Sequence, residues 1–498
     1  MSLPRSWSPA DVIDLPDPHT ASNVTYNPSI SRLRELARAE ERTTEYGSAG
    51  YYSEFTSRSA DQTANTIDHE FTEEDIDLVA QAIELAHDAD MLCLDRKLGS
   101  HPDHTYVCRY YVPTGYARIA HAWAKLLEPT EEGAPPDFRT LQVPDHDITA
   151  IRVFPDERFT AVIGSDYTGE AKKSFLRQFM YEVKRDGGIG LHAGSKQVTV
   201  GGDEVGQLFM GLSATGKTTL TTHGYGLQDG SVRVMQDDVC GLLPDGSAVG
   251  SEGYGMYVKT AGLDPDEQAE LYNGVTHESA VFENVYIDED GRVDFDDDTY
   301  TANGRAVVLR EHVSIAPGTI DLDGVDQLFF ITRNPICPPV ARLTPDQAAV
   351  AFMLGESVET SAGDPDRAGE SIRVVGTNPF TIGSRAEEGN LLRGLVDHLD
   401  IDSYLLNTGH LGQQARDISV EDSANILKAI AQDQVEWRYD ETLSLEVPRA
   451  VPGVDSTLFD VAAHVDDLED KVRYQRDDRR AYLRQFDGLA PAILDAVY

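Results

Sequence analysis

Basic residues are scarce in this chain of 498: 42 lysines and arginines stand against 85 aspartates and glutamates, for a formal net charge of −43. No basic stripe is present, which argues against duplex nucleic acid as a partner, since an acidic surface and a phosphate backbone repel each other. Cysteine is also scarce. Cys93, Cys108, Cys240 and Cys337 lie far apart with no C-x-x-C pair, so neither a zinc ribbon nor a disulfide framework is expected. Long apolar runs are missing, none approaching the ~20 residues that span a bilayer. The opening Met-Ser-Leu-Pro-Arg-Ser-Trp lacks the apolar core of a signal peptide. These absences predict a cytoplasmic protein with no membrane partner.

The acidic excess is spread along the chain and is not gathered into a tail. Disorder is one reading, but an apolar content of 40% and many apolar segments oppose it. A folded protein adapted to concentrated salt, where screening weakens self-repulsion, is the favoured reading, and it predicts a halophilic, archaeal source. The length suffices for two or three hydrophobic cores.

One stretch is highly specific. Gly211-Leu212-Ser213-Ala214-Thr215-Gly216-Lys217-Thr218-Thr219 is a complete G-x-x-x-x-G-K-T phosphate-binding loop. Gln207–Met210 can be the strand leading in, and Thr218-Thr219-Leu220 can open the helix leading out. The glycines allow a tight turn that aims several backbone N–H groups at one polyphosphate. Lys217 can reach the terminal phosphates, and the Thr218 hydroxyl can sit on a divalent cation. Downstream, Val232-Arg233-Val234-Met235 reads as a strand ending in Gln236-Asp237-Asp238. A carboxylate at such a strand end can hold the metal that bridges nucleotide phosphates. A turn residue is the plainer alternative.

Elsewhere, Thr72 followed by Glu73-Glu74-Asp75 predicts a helix start, with Ile76, Val79, Ile83 and Ala86 on one buried face. Strands are expected at Tyr106–Val112 and Ile151–Phe154, and helices at 345–356, 386–399 and 421–432. A surface loop is expected at 128–138. Residues 1–65, rich in Ser, Thr, Pro and charge, are expected to be a partly disordered extension.

Tyr167-Thr168-Gly169-Glu170-Ala171-Lys172-Lys173, His192, the phosphate loop and Asp237-Asp238 follow one another in an order that resembles the ATP-dependent phosphoenolpyruvate carboxykinases. Phe282-Glu283-Asn284-Val285, Pro338-Pro339-Val340-Ala341-Arg342-Leu343-Thr344-Pro345, Leu405–Gly412, Leu445–Pro448 and Val451–Val454 are similar to further motifs of that family. The likeness covers roughly residues 160–460 and fades outside them. It implies an α/β, two-lobed fold, with residues 1–187 as a substrate-side lobe and 188–498 as a lobe carrying the phosphate loop, nucleotide and metal. It implies ATP as a substrate with Mn2+ and Mg2+, and conversion of oxaloacetate to phosphoenolpyruvate. Lys173, His192 and Asp238 match the family's manganese ligands, and Arg342 its contact to the transferred phosphoryl group. Tyr167 and Lys172 match substrate-side residues, and Glu283 a carboxylate near the nucleotide.

The chain departs from the family pattern in three places. In the segment Leu98–Val107, Ser100 stands where an arginine clamps the substrate carboxylate, leaving Arg96 and Arg109 as candidates for that task. Asp422-Ser423-Ala424-Asn425 lacks the arginine packed near the nucleotide base. Ala214 replaces a loop glycine. The missing carboxylate clamp keeps open a second reading, a small-molecule kinase on the same fold with a different acceptor. A non-catalytic nucleotide-binding protein is a third.

Overall fold

Gln327–Thr332 (Gln-Leu-Phe-Phe-Ile-Thr) is buried at every position, as a central strand covered on both faces must be. In the computed structural model, which describes residues 12–498 except 213–214, 229, 267, 317, 359–370 and 413–415, this strand pairs in parallel with Asp203–Met210 and Asp402–Asn407. It lies inside an eight-stranded sheet ordered Val232–Gln236, Ala193–Val200, Asp203–Met210, Gln327–Thr332, Asp402–Asn407, Val340–Leu343, Leu445–Pro448, Trp437–Asp440. Side chains alternate between faces. Leu328 and Phe330 pack with Val350 and Phe352 of helix Pro345–Leu354 and Leu392 of helix Arg385–Leu399. Phe329 and Ile331 pack on the other face with Leu220 and with Leu427 of helix Val420–Ala431. Pro345–Leu354 starts at a capping box between Thr344 and Gln347.

That sheet belongs to one of two compact units, Val183–Gly250 with Ile320–Tyr498; the other comprises the residues up to Glu182 with Ser251–Thr319. A sequence boundary at 187 puts 251–319 in the second lobe, whereas strand pairing puts it in the first unit. Val281–Glu283 pairs in parallel with Ala49–Tyr51, and Arg305–Leu309 joins it to Gly255–Lys259 in one five-stranded sheet. The same pairing corrects the expectation of a partly disordered extension for described residues 12–65, which supply four strands and the helix Ile30–Leu36.

The first unit's larger sheet carries helix Glu73–Asp88, begun by a reciprocal Thr72–Asp75 capping box. Its Ile76, Val79 and Ile83 pack with Leu141, Phe159 and Ala161. Strands Tyr106–Pro113 and Ala150–Phe154 lie close to their expected positions. All four cysteines are buried thiols. Among the described residues no helix is long and apolar enough to cross a membrane.

Lys125 is a buried cation in this unit, its ammonium donating to the Ser279 carbonyl oxygen at 2.6 Å. Burial first, and the Arg34 charge second, push its pKa from 10.5 down to about 8. Between those values the unfolded chain holds a proton that the folded chain has released, so folding stability rises with pH through this window. Compared with Lys125→Met, the parent is expected to gain up to about 3 kcal/mol across it. Denaturant melts of both proteins at either end of the window check this; parallel pH responses would refute it.

Candidate active site

Strand register brings three segments to one end of the second unit's sheet. Ala193 lies opposite Met210, and Ser195 opposite Gln236. The residue before Ala193, the loop after Met210 and the turn after Gln236 therefore meet; these are His192, the phosphate loop and Asp237-Asp238.

The loop is shaped by its glycines. Gly216 has φ +94°, a left-handed backbone that side chains disfavour. A Cβ on Gly211 would lie 2.5 Å from Thr215 Oγ1, which itself donates to the Leu212 carbonyl oxygen at 2.8 Å. Helix Lys217–Thr222 follows directly, carrying Thr218 and Thr219. Ser213 and Ala214, and with them the Ala214 departure, lie outside the described residues.

The charged groups converge on one oxygen. Asp238 Oδ1 is 3.0 Å from His192 Nε2 and 3.9 Å from Lys217 Nζ. His192 Nδ1 lies 2.7 Å from the Thr377 carbonyl oxygen. A carbonyl only accepts, so Nδ1 carries the proton and fixes the ring's orientation. Nε2 then faces the carboxylate either as a second N–H or as a lone pair beside it. In the second state the two side chains present adjacent nitrogen and oxygen donors, a set that suits a transition-metal cation such as Mn2+ better than Mg2+, which takes oxygen ligands. Among the described residues no cluster of three His, Cys, Asp or Glu occurs.

The other candidates lie on other elements, several with partners the sequence does not reveal. Lys173 lies in the first unit, on helix Thr168–Arg185. On the same helix the Lys172 ammonium is buried 2.9 Å from Glu252 Oε2. Glu283 is buried in the first unit, and not in the one that carries the phosphate loop; it accepts from the Thr168 amide at 2.9 Å and from the Tyr257 hydroxyl. It thus ties down the start of the lysine-bearing helix, and burial pushes its pKa up. Tyr167 is buried nearby, its hydroxyl 3.4 Å from the Asn303 amide nitrogen.

Arg342 lies mid-strand opposite Tyr404. It pairs with Glu446 at 2.6 Å and stacks over Trp437. Arg96 lies in strand Met91–Leu98, opposite Cys108. Arg109 is in the adjoining strand opposite Asp95. In the base-side departure, Asp422 closes a capping box with Ser419, while the Asn425 side chain faces the Gly453 carbonyl. Arg333, which the motif reading passes over, follows the last residue of the strand Gln327–Thr332. Its one sequence signal is local: an arginine that directly follows the run Leu328-Phe329-Phe330-Ile331-Thr332.

A phosphate loop at a strand end, with a lysine, an aspartate and a histidine gathered beside it, defines the class of nucleotide-dependent phosphoryl-transfer enzymes. Comparison with known proteins narrows the class. The profile of the phosphoenolpyruvate carboxykinase family, ATP-dependent type, matches residues 22–457. The chain belongs to this family, and the match begins far ahead of the motif-rich region. It is 37% identical over 446 residues to a phosphoenolpyruvate carboxykinase (ATP) of Aeropyrum pernix, spanning 87% of this chain and 88% of that protein. A protein of the same name from Mesorhizobium japonicum is 32% identical over 323 residues, 63% of this chain and 58% of the relative.

Proposed function

We infer that this chain converts oxaloacetate and ATP to phosphoenolpyruvate, carbon dioxide and ADP, the step that opens gluconeogenesis. The observation that carries the reading is the meeting of the loop, Lys217, Asp238 and His192 at one sheet end, in a chain of this family. Oxaloacetate loses carbon dioxide to leave an enolate, whose oxygen attacks the γ-phosphorus of ATP while the bond to the β-phosphate oxygen breaks. Loop amides and Lys217 hold the polyphosphate and offset the negative charge of the transferring group. Asp238, His192 and the Thr218 hydroxyl would hold a divalent cation. When bound, that cation neutralises phosphate and enolate charge. Thr377 keeps the His192 ring turned toward Asp238. The roles that the family likeness gives to Tyr167, Lys172, Lys173, Arg342 and Glu283 belong to this proposal too, each separable by substitution.

A cytoplasmic location, small-molecule substrates without a nucleic-acid partner, and work in concentrated salt complete the proposal; the charge of −43 supports the last two. The test is direct. Purified protein in concentrated salt, with oxaloacetate, ATP and Mn2+, is expected to form phosphoenolpyruvate and ADP in equal amounts. ATP consumption that requires a different acceptor, with no phosphoenolpyruvate formed, would establish the kinase reading instead.

A further inference from the structure

Arg333 directly follows Thr332, the end of the strand next to the one that feeds the phosphate loop. Met210 lies opposite Phe330 in that parallel pair, so both segments leave the sheet at the same end. Two hydrogen bonds join them through one residue. The Thr408 amide donates to the Thr332 carbonyl oxygen at 3.0 Å, and the Thr408 hydroxyl donates to the carbonyl oxygen of Thr215 in the loop at 2.7 Å. Strand alternation puts Arg333 in phase with Phe329 and Ile331, which pack with Leu220 of the loop helix. The backbone is held as well: the Arg333 amide donates to the Ser357 hydroxyl at 3.1 Å. Gly409 permits the close approach of the adjoining segment, since a Cβ there would lie 3.2 Å from Arg333 Cβ.

The side chain is half-buried, and its Nε is buried with no hydrogen-bond partner among the described residues. No carboxylate among the described residues pairs with its guanidinium. Burial alone lowers its pKa. Acidic residues outnumber basic ones 85 to 42 in this chain, and Arg109, Arg342, Arg373 and Arg479 each hold a carboxylate. A partly desolvated guanidinium without an anion carries a cost that an arriving anion would offset. A planar fork of donors at the mouth of a phosphate loop fits phosphate oxygens.

We propose that Arg333 is a catalytic residue that binds the terminal phosphates of ATP from the strand next to the loop, opposing the negative charge of the phosphoryl group as it moves. This rests on the carboxykinase reading for the reaction, but not for the binding. Without Arg333, decarboxylation of oxaloacetate still yields the enolate, while transfer of the γ-phosphoryl to its oxygen slows. The enolate carbon then takes a proton from water, and pyruvate leaves in place of phosphoenolpyruvate.

The experiment measures phosphoenolpyruvate and pyruvate separately for the parent, Arg333→Ala and Arg333→Lys, with oxaloacetate, ATP and Mn2+ in concentrated salt. Arg333→Ala is expected to form phosphoenolpyruvate about 10²-fold more slowly, with a raised pyruvate-to-phosphoenolpyruvate ratio and an unchanged KM for oxaloacetate. Arg333→Lys should recover part of the rate, since it keeps the charge and loses the fork. Rates and product ratio equal to the parent's would overturn the proposal. So would a loss of rate with an unchanged ratio and no recovery in Arg333→Lys, which marks a structural role. If Arg333→Ala does not fold by circular dichroism, Arg333→Lys and Arg333→Gln are judged by the same product ratio. If the parent itself forms no phosphoenolpyruvate, the carboxykinase reading fails, and calorimetric titration with ATP and Mg2+ decides on Arg333. Affinity about tenfold weaker in Arg333→Ala sustains the contact, and equal affinity ends it.

Discussion

Replacing Lys217 by alanine is expected to lower phosphoenolpyruvate formation by about 10²-fold or more while leaving the melting temperature within a few degrees of the parent's. The Lys217 side chain points at the sheet end where Asp238 Oδ1 lies 3.9 Å from its ammonium. Asp238 keeps His192 at 3.0 Å when the lysine is gone, so the carboxylate is not left alone. The helix that starts at Lys217 keeps its backbone contacts, including the Thr221 hydroxyl on the Lys217 carbonyl oxygen at 2.8 Å. The lost group is one whose attraction grows as charge builds on the transferring phosphoryl group, so the effect belongs in kcat. Asp238→Asn should lose activity to a similar degree for a different reason: an amide is a poor partner for a divalent cation. Its deficit should therefore shrink as Mn2+ is raised, whereas that of Lys217→Ala should not. Near-parental turnover in Lys217→Ala would show that the loop takes no part in the chemistry.

The meeting of His192, the phosphate loop and Asp238 was readable in the sequence because all three lie at strand ends. His192 precedes a strand, the loop follows the next, and Asp238 follows the third; antiparallel pairing of neighbours then has to place them together. Local signals also worked where they rest on local physics, as at Thr72 and Thr344, whose hydroxyls cap the helices that follow. What stayed hidden depends on pairing between distant segments. Nothing local in Val281–Glu283 announces Ala49–Tyr51 as its neighbour, so the segment 251–319 could not be placed with the first unit. For the same reason nothing in the sequence tied Glu283 to Thr168 and Tyr257, from whose amide and hydroxyl its oxygens accept. Lys172 gave no hint of Glu252, nor Arg342 of Glu446. Arg333 matched no motif, and its interest lies wholly in what it adjoins and in the carboxylate it lacks.

Arg96→Ala is expected to raise the KM for oxaloacetate by about 10–100-fold, whereas Arg109→Ala is expected to cost stability. The two arginines point to opposite faces of adjoining strands, and their partners separate them. Arg109 donates twice to Asp95, at 2.8 and 2.7 Å, and Asp95 accepts a third bond from the Tyr26 hydroxyl at 2.6 Å. Burial alone would lower the Arg109 pKa, but the Asp95 hydrogen bonds and charge outweigh it and hold it above the ordinary value. This fork is already full. Its removal would strand a buried carboxylate, at a cost of about 3–5 kcal/mol, without bearing directly on substrate. Arg96 holds no carboxylate among the described residues: it donates to the Asp95 and Ala124 carbonyl oxygens and to Asn27 Oδ1. Burial, which lowers its pKa, makes a carboxylate partner the more valuable to it. A dicarboxylate substrate entering a chain of charge −43 needs such a grip, and Ser100 cannot supply it. Steady-state kinetics of both variants, paired with denaturant melts, separate the two effects. If Arg96→Ala binds oxaloacetate as the parent does, the carboxylate is held elsewhere. If the parent also turns over no oxaloacetate, an acceptor without that carboxylate becomes the better account of the site.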